Sequence, residues 1–278
     1  MQTLKRFLSR FWELLFRPEM RVLPGQLAFF FVLSIFPMLT LLGYVGSRID
    51  YFAQAFSSII NDLLPGDTAS IFVNFVGDGK IYGNEIFFMI VGFFLVSNGT
   101  QSLIVTSNEL YGFEHANYFK QKLKSILMAV VLMALFVFVI LVLAYGNVIV
   151  NFIVNQDIFD GFSDKLHYAF WLLKWPVSLV FVFLTIKYLY SVAPDMKIKS
   201  RYTNKGAMFA TIGWFIVTAI YSWYVTNFSN YGMFYGSISN IVVMMIWIYL
   251  LSMILSMGVA LNSNIYKLAE ENKKADDA

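Results

Sequence analysis

The stretch 240–264, NIVVMMIWIYLLSMILSMGVALNSN, carries no charged residue over 25 positions. As a helix rising ~1.5 Å per residue it is long enough to cross the ~30 Å hydrocarbon core of a bilayer. Its polar residues are not scattered. Ser252, Ser256, Ala260 and Asn264 recur every four positions and form one narrow stripe. Small residues at that spacing let a second helix approach closely, and Ser and Asn side chains can hydrogen-bond across the contact. The stripe therefore reads as a packing face, with Ile241, Met245, Ile248 and Leu255 turned to lipid or apolar neighbours. The alternative is a polar site built around Asn262 and Asn264 at the membrane edge.

The rest of the chain fits that start. Hydrophobic residues make up 59% of it and charged residues 13%, against about 25% charged in soluble domains. Cysteine is absent, which excludes a disulfide framework and any cysteine-based metal or nucleophile site. The expectation is an all-α, polytopic membrane protein, a single membrane domain over 1–278. Its six transmembrane helices are placed at about 25–47, 86–107, 125–150, 168–192, 206–226 and 240–264, with a charged tail at 265–278.

Residues 1–24 are amphipathic. Leu4, Phe7, Leu8, Phe11, Trp12 and Leu15 follow helical spacing, with Lys5, Arg6, Arg10 and Arg17 on the other side. Such a helix lies in the headgroup plane or packs on the bundle, and both can hold at once. It lacks the apolar core and cleavage site of a signal peptide. In the first span Pro37 predicts a helix kink, because proline removes a backbone donor and clashes with the preceding turn. Ser34 stands where it can satisfy a freed backbone group. Residues 49–85 are too polar to span. Phe52, Phe56, Ile59, Ile60 and Leu63 still repeat at helical spacing, and Asp67 after Pro65-Gly66 reads as an N-cap. They predict two amphipathic helices on the outer surface.

The second span is polar in its latter half. Asn98, Gln101, Ser102, Thr106 and Glu109 progress along one helical face. Polar groups at membrane depth face the bundle interior or a wet cavity. The face is thus either interhelical hydrogen bonding or the wall of a cavity open to the cytoplasm, lined by Asn98, Gln101, Ser102, Asn108 and Glu109. Lys187, near the inner end of the fourth span, reaches the interface by snorkelling. With both termini in the cytoplasm, fifteen of the 20 Lys and Arg fall inside and eight acidic residues of the loops 49–85 and 157–164 fall outside. That is the expected bias of an inner-membrane protein. Lys187, Lys197 and Lys199 then sit where anionic headgroups lie.

The search for catalytic chemistry finds none. His115 and His167 fall on opposite sides of the membrane and cannot share a metal. No G-x-S-x-G, H-E-x-x-H or phosphate-binding loop occurs. The basic residues are dispersed among short loops without an aromatic stacking platform, which argues against nucleic acid. The expectation is no enzyme, no metal and no cofactor, with membrane lipids as partners. The sequence sets no oligomeric state.

Several motifs together resemble the YihY/BrkB family of bacterial inner-membrane proteins, once labelled ribonuclease BN-like. They are LAFFFVLSIFPMLTLL at 27–42, SNELYGFE at 107–114, LYSVAPD at 189–195, KGAMFATIGW at 205–214 and FYGSISNIVVMMIWIYLLSMILSMGVALN at 234–262. The resemblance covers nearly the whole chain and implies six spans, a bacterial cytoplasmic membrane and an envelope role. The family commonly ends its last span with Gly-Ala-Glu-Leu-Asn. Here Gly258-Val259-Ala260-Leu261-Asn262 puts alanine at the glutamate position, so no carboxylate carrier is implied there. The reading that follows is a transporter or flippase for an amphipathic anionic envelope molecule. A non-transporting scaffold for an envelope complex is second, and a membrane hydrolase or ribonuclease ranks last.

Overall fold

The computed structural model describes residues 2–46, 83–114, 116–139, 163–227 and 238–276. Among them the chain is helical and forms no strand: α1 (Gln2–Leu15), α2 (Pro18–Gly46), α3 (Gly83–Tyr111), α4 (Tyr118–Val139), α5 (Ser163–Val192), a 3-10 turn (Ser200–Tyr202), α6 (Asn204–Asn227) and α7 (Ile238–Asp276). Four stretches are long and apolar enough to cross a membrane: Ile90–Tyr111, Leu172–Val192, Ser200–Val225 and Val242–Ala275. They overlap the second, fourth, fifth and sixth expected spans. The expected first span falls in α2, where the apolar stretch Met20–Leu33 is shorter. The expected third span begins in α4. Its latter part, the two amphipathic helices expected within 49–85, and the side chains of Ser34 and Pro37 lie outside the described residues.

Local chemistry sets the helix ends. Pro18 is the first residue of α2, where a missing N–H costs nothing because that donor has no intrahelical acceptor. The break at Phe16–Arg17 leaves α1 free to turn back onto α7, where Arg10 pairs with Glu271 at 2.7 Å. At the end of α3, Gly112 has φ 77°. The Phe113 N–H donates to the Asn108 carbonyl and the Gly112 N–H to the Glu109 carbonyl, a Schellman motif that needs a residue without Cβ strain. α7 does not stop at the expected membrane edge. Its 39 residues run on through the charged tail, because Ala269, Glu270, Glu271, Lys273 and Lys274 are good helix formers.

One end of the bundle gathers α1, the starts of α2, α4 and α6, the ends of α3 and α5, and the C-terminal half of α7. It is the proximal end below. The apolar core beneath it takes Leu23 and Leu27 from α2, Leu103 and Ile104 from α3, Met128 from α4, Ile186 and Leu189 from α5, Ala207 and Ala210 from α6, and Leu255 and Val259 from α7. Ser252, Ser256, Ala260 and Asn264 are all buried. α6 meets α7 backbone to backbone. A Cβ on Gly206 would fall on the Gly258 carbonyl and the Asn262 side chain, and one on Gly258 would fall on the Tyr190 hydroxyl. By contrast Leu172, Trp175, Val180 and Leu184 of α5 and Ile212, Ile216 and Ile220 of α6 are exposed, as suits helices bordered by lipid.

Replacing Ser256 or Ala260 by leucine is expected to overpack α7 against its neighbours at a cost of ~1–3 kcal/mol. The measurement is thermal stability in detergent. Wild-type melting temperatures in both variants would show that the stripe has room to spare.

Candidate functional site

Asp195, in the short connection after α5, is the hub of the proximal end. Its Oδ2 accepts from Asn108 Nδ2 at 2.6 Å, from the Ala116 N–H at 3.0 Å and from Gln121 Nε2 at 2.7 Å. Lys124 forms an ion pair with its Oδ1. In return the Asp195 N–H donates to Asn108 Oδ1 at 2.7 Å. Lys124 also donates to the carbonyls of Ala193 at 2.9 Å and Pro194 at 3.2 Å, groups left open by the end of α5. Burial pushes the Asp195 carboxyl up. The Lys124 ammonium, the Ala116 N–H and the Gln121 amide outweigh it and hold the carboxyl at about 2, below the usual 3.8.

A second set of contacts ties α7 to its neighbours. Asn262 Oδ1 accepts the Gly206 N–H at 2.8 Å, one of the first donors of α6 that has no intrahelical partner. Ser263 Oγ donates to the Leu110 carbonyl at 2.5 Å. The Tyr190 hydroxyl donates to the Leu255 carbonyl at 2.6 Å and Trp214 Nε1 to the Leu251 carbonyl at 2.9 Å. Tyr111, Phe113, Tyr202 and Tyr266 pack as an aromatic cluster, with ring centroids 5.4–5.7 Å apart in the contacting pairs. Beside these contacts the hydroxyls of Ser107 and Tyr111 and the Asn262 Nδ2 are buried with no protein partner among the described residues.

The polar face of α3 divides in two. Ser97, Thr100, Thr106 and Asn108 are buried. Ser97 meets Ser125 Oγ at 3.0 Å, and the Thr100 hydroxyl donates to the Ser125 carbonyl at 2.7 Å, joining α3 to α4. Asn98, Gln101, Ser102 and Glu109 are half-buried. Lys122 Nζ donates to Asn98 Oδ1 at 2.7 Å and to Gln101 Oε1 at 3.3 Å, and the Ser102 hydroxyl turns back to the Asn98 carbonyl at 3.2 Å. Four of the five expected lining residues thus share a half-open face, while Asn108 is drawn into the Asp195 hub. Lys197 and Lys199 are exposed on the connection before α6. Lys187, half-buried, lies 6.0 Å from the Phe183 ring centroid. Asp195, Gln121, Lys122 and Lys124 were not singled out from the sequence. One signal was available: Asp195 is the sole acid among four basic residues in 193–205. His115 and the side chain of His167 lie outside the described residues.

Comparison with known proteins follows this geometry closely in extent. The signature of the family described as Virulence factor BrkB matches residues 15–278. A Bacillus subtilis protein named as ribonuclease-like, YfkH, is 30% identical over 259 residues, covering 89% of this chain and 92% of its own. A UPF0761 membrane protein of Glaesserella parasuis is 29% identical over 50% of this chain and 48% of its own. One of Alteromonas mediterranea is 34% identical over 34% of this chain and 32% of its own. This chain therefore spans half or less of those two relatives' length. No solved structure matches it significantly.

Replacing Asp195 by alanine leaves Asn108, Gln121 and the Ala116 N–H short of an acceptor and Lys124 without its counter-charge. The expected loss is about 3 kcal/mol of stability, read by thermal or denaturant unfolding. Because the carboxyl is depressed in the folded chain, its contribution is full above its ordinary 3.8 and is lost as pH falls toward about 2. The wild-type minus Asp195→Ala difference should hold constant from pH 7 to pH 5. A difference that shrinks in that range would contradict the ion pair.

Proposed function

The chain belongs to the Virulence factor BrkB family, and from that premise we propose that it is a six-span protein of the bacterial cytoplasmic membrane that moves an amphipathic, anionic, lipid-like molecule as a transporter or flippase. Both termini, and with them the proximal end of the bundle, lie in the cytoplasm on this reading. The distribution of Lys and Arg supports the orientation.

One observation carries the proposal. Asn98, Gln101, Ser102 and Glu109 form a half-open polar face on α3 that continues the exposed apolar row Phe87, Ile90 and Phe94. Polar groups at this depth are costly against lipid tails. A groove that is polar toward the cytoplasm and apolar toward the membrane centre suits a molecule with a charged head and a greasy tail. Asn108 serves this groove by fixing the end of α3 through Asp195. Lys187, Lys197 and Lys199 stand as headgroup contacts at its cytoplasmic side. The reading assigns no catalytic step, metal, cofactor or nucleic acid.

The alternative, a non-transporting scaffold, draws on the hub itself. Side chains from α3, α4 and the connection after α5 converge on one carboxylate, which suits a rigid platform as well as a channel wall.

Cysteine accessibility separates the two. Asn98→Cys and Ser102→Cys are expected to react with a small water-soluble thiol reagent from the cytoplasmic side, and more slowly with lipid bound. If both stay inert in folded protein while a Lys199→Cys control reacts, the groove is closed and the scaffold leads. The same chemistry tests orientation. Single cysteines at Asp67 and Lys199 should label from outside and inside respectively, and the reverse pattern would overturn the topology.

A further inference from the structure

Two lysines two residues apart on α4, and so on nearly opposite sides of it, have unlike surroundings. Lys124 is saturated by Asp195 and two carbonyls. Lys122 turns the other way, onto α3, where it meets Asn98 Oδ1, Gln101 Oε1 and the face of Phe94, 4.1 Å from the ring centroid. An ammonium has three N–H donors, and these contacts engage two of them. They also orient the amides. With both oxygens drawn to the ammonium, the NH2 groups of Asn98 and Gln101 point away from it. The cluster therefore offers an ammonium and two amide NH2 groups as donors. Among the described residues no carboxylate pairs with Lys122, the ion pairs there being Arg10–Glu271 and Lys124–Asp195. Burial lowers the Lys122 pKa, a shift that a nearby anion would oppose.

The apolar surroundings point the same way. Phe94, Ile90 and Phe87 follow Asn98 along α3 away from the proximal end, and Val130 lies about two turns beyond Lys122 on α4. All four are exposed. The two helices thus offer an apolar strip headed by a cation and two amides.

We propose that the α3–α4 pair binds an anionic glycerophospholipid, its phosphate held by Lys122 and the amide N–H groups of Asn98 and Gln101, its acyl chains laid along Phe94, Ile90 and Val130. A zwitterionic lipid is disfavoured, because its own cation finds no carboxylate at the cluster. The inference rests on the groove of the preceding section for its place, but it requires binding only, not movement.

The test uses the full chain purified in detergent, with dioleoylphosphatidylglycerol, dioleoylphosphatidylcholine or inorganic phosphate added. Melting temperature and native mass spectrometry are the readouts. Phosphatidylglycerol is expected to raise the melting temperature and to remain bound in the spectrometer, while phosphatidylcholine and inorganic phosphate do neither. Lys122→Gln should weaken phosphatidylglycerol about fivefold, the effect of one basic residue at an anionic surface. Lys274→Gln, in the exposed tail of α7, should leave it unchanged. Wild-type affinity in Lys122→Gln, or an equal shift with phosphatidylcholine or with phosphate alone, overturns the proposal. Should Lys122→Gln fail to fold, Gln101→Glu places a carboxylate on Lys122 and is expected to weaken binding likewise; unchanged binding there overturns it too. The outcomes remain separable. Lys122-independent binding with a reactive Ser102→Cys removes the lipid site and keeps the groove. Lys122-dependent binding with an inert Ser102→Cys keeps the lipid site and removes transport.

Discussion

Helix ends carry backbone donors and acceptors that have no partner within the helix, and in a membrane protein water is not at hand to satisfy them. The proximal end of this bundle meets that demand with side chains from neighbouring helices. Ser263 of α7 satisfies a carbonyl at the end of α3, Lys124 of α4 does so at the end of α5, and Asn262 of α7 takes a donor at the start of α6. The Asp195 carboxylate receives the Ala116 N–H ahead of α4. Three of these ends are completed from a neighbouring helix and the fourth from the connection after α5. The arrangement is cooperative in the literal sense: withdrawing one helix exposes polar backbone on another.

This explains what could be read from the sequence and what could not. Long apolar runs announce themselves, and the stretches around α3, α5 and α6 and the start of α7 fall within a few residues of those observed. The polar row on α3 was visible as a row. Hydropathy, however, does not say which neighbour covers a given side of a helix, and that decides why Asn108 is sealed while Asn98 and Gln101 are half-open. Asp195 was not singled out, because its partners Asn108, Gln121 and Lys124 lie 71–87 residues away. Lys122 and Lys124 were counted together as loop charge, although their opposite orientations give them different roles. The helical tail of α7 was missed because charge density was taken to mark the end of the span, when the same residues are good helix formers.

The motifs that mark the family converge on this one layer. From SNELYGFE come Asn108, the Schellman glycine Gly112 and Phe113. LYSVAPD supplies Tyr190 and Asp195, and KGAMFATIGW supplies Gly206 and Trp214. The last span adds Gly258 and Asn262. Most of these residues hold helices together, which is a requirement of the fold before it is a clue to an activity. The position where the family commonly has glutamate is occupied here by Ala260, fully buried in the core. A carboxylate at that point would have to be desolvated or paired, and this chain has neither need.

The contact of Gly206 with Gly258 has a mechanical meaning. Two helices whose backbones touch, pinned there by the Asn262 amide and the Tyr190 hydroxyl, cannot shear past one another by small adjustments. α6 and α7 are therefore a single lever arm at their crossing, and the crossing sits at the same level as the Asp195 hub. Any change of shape in this bundle must therefore carry both helices together at that point, and the Trp214 and Trp247 hydrogen bonds extend the coupling along their length.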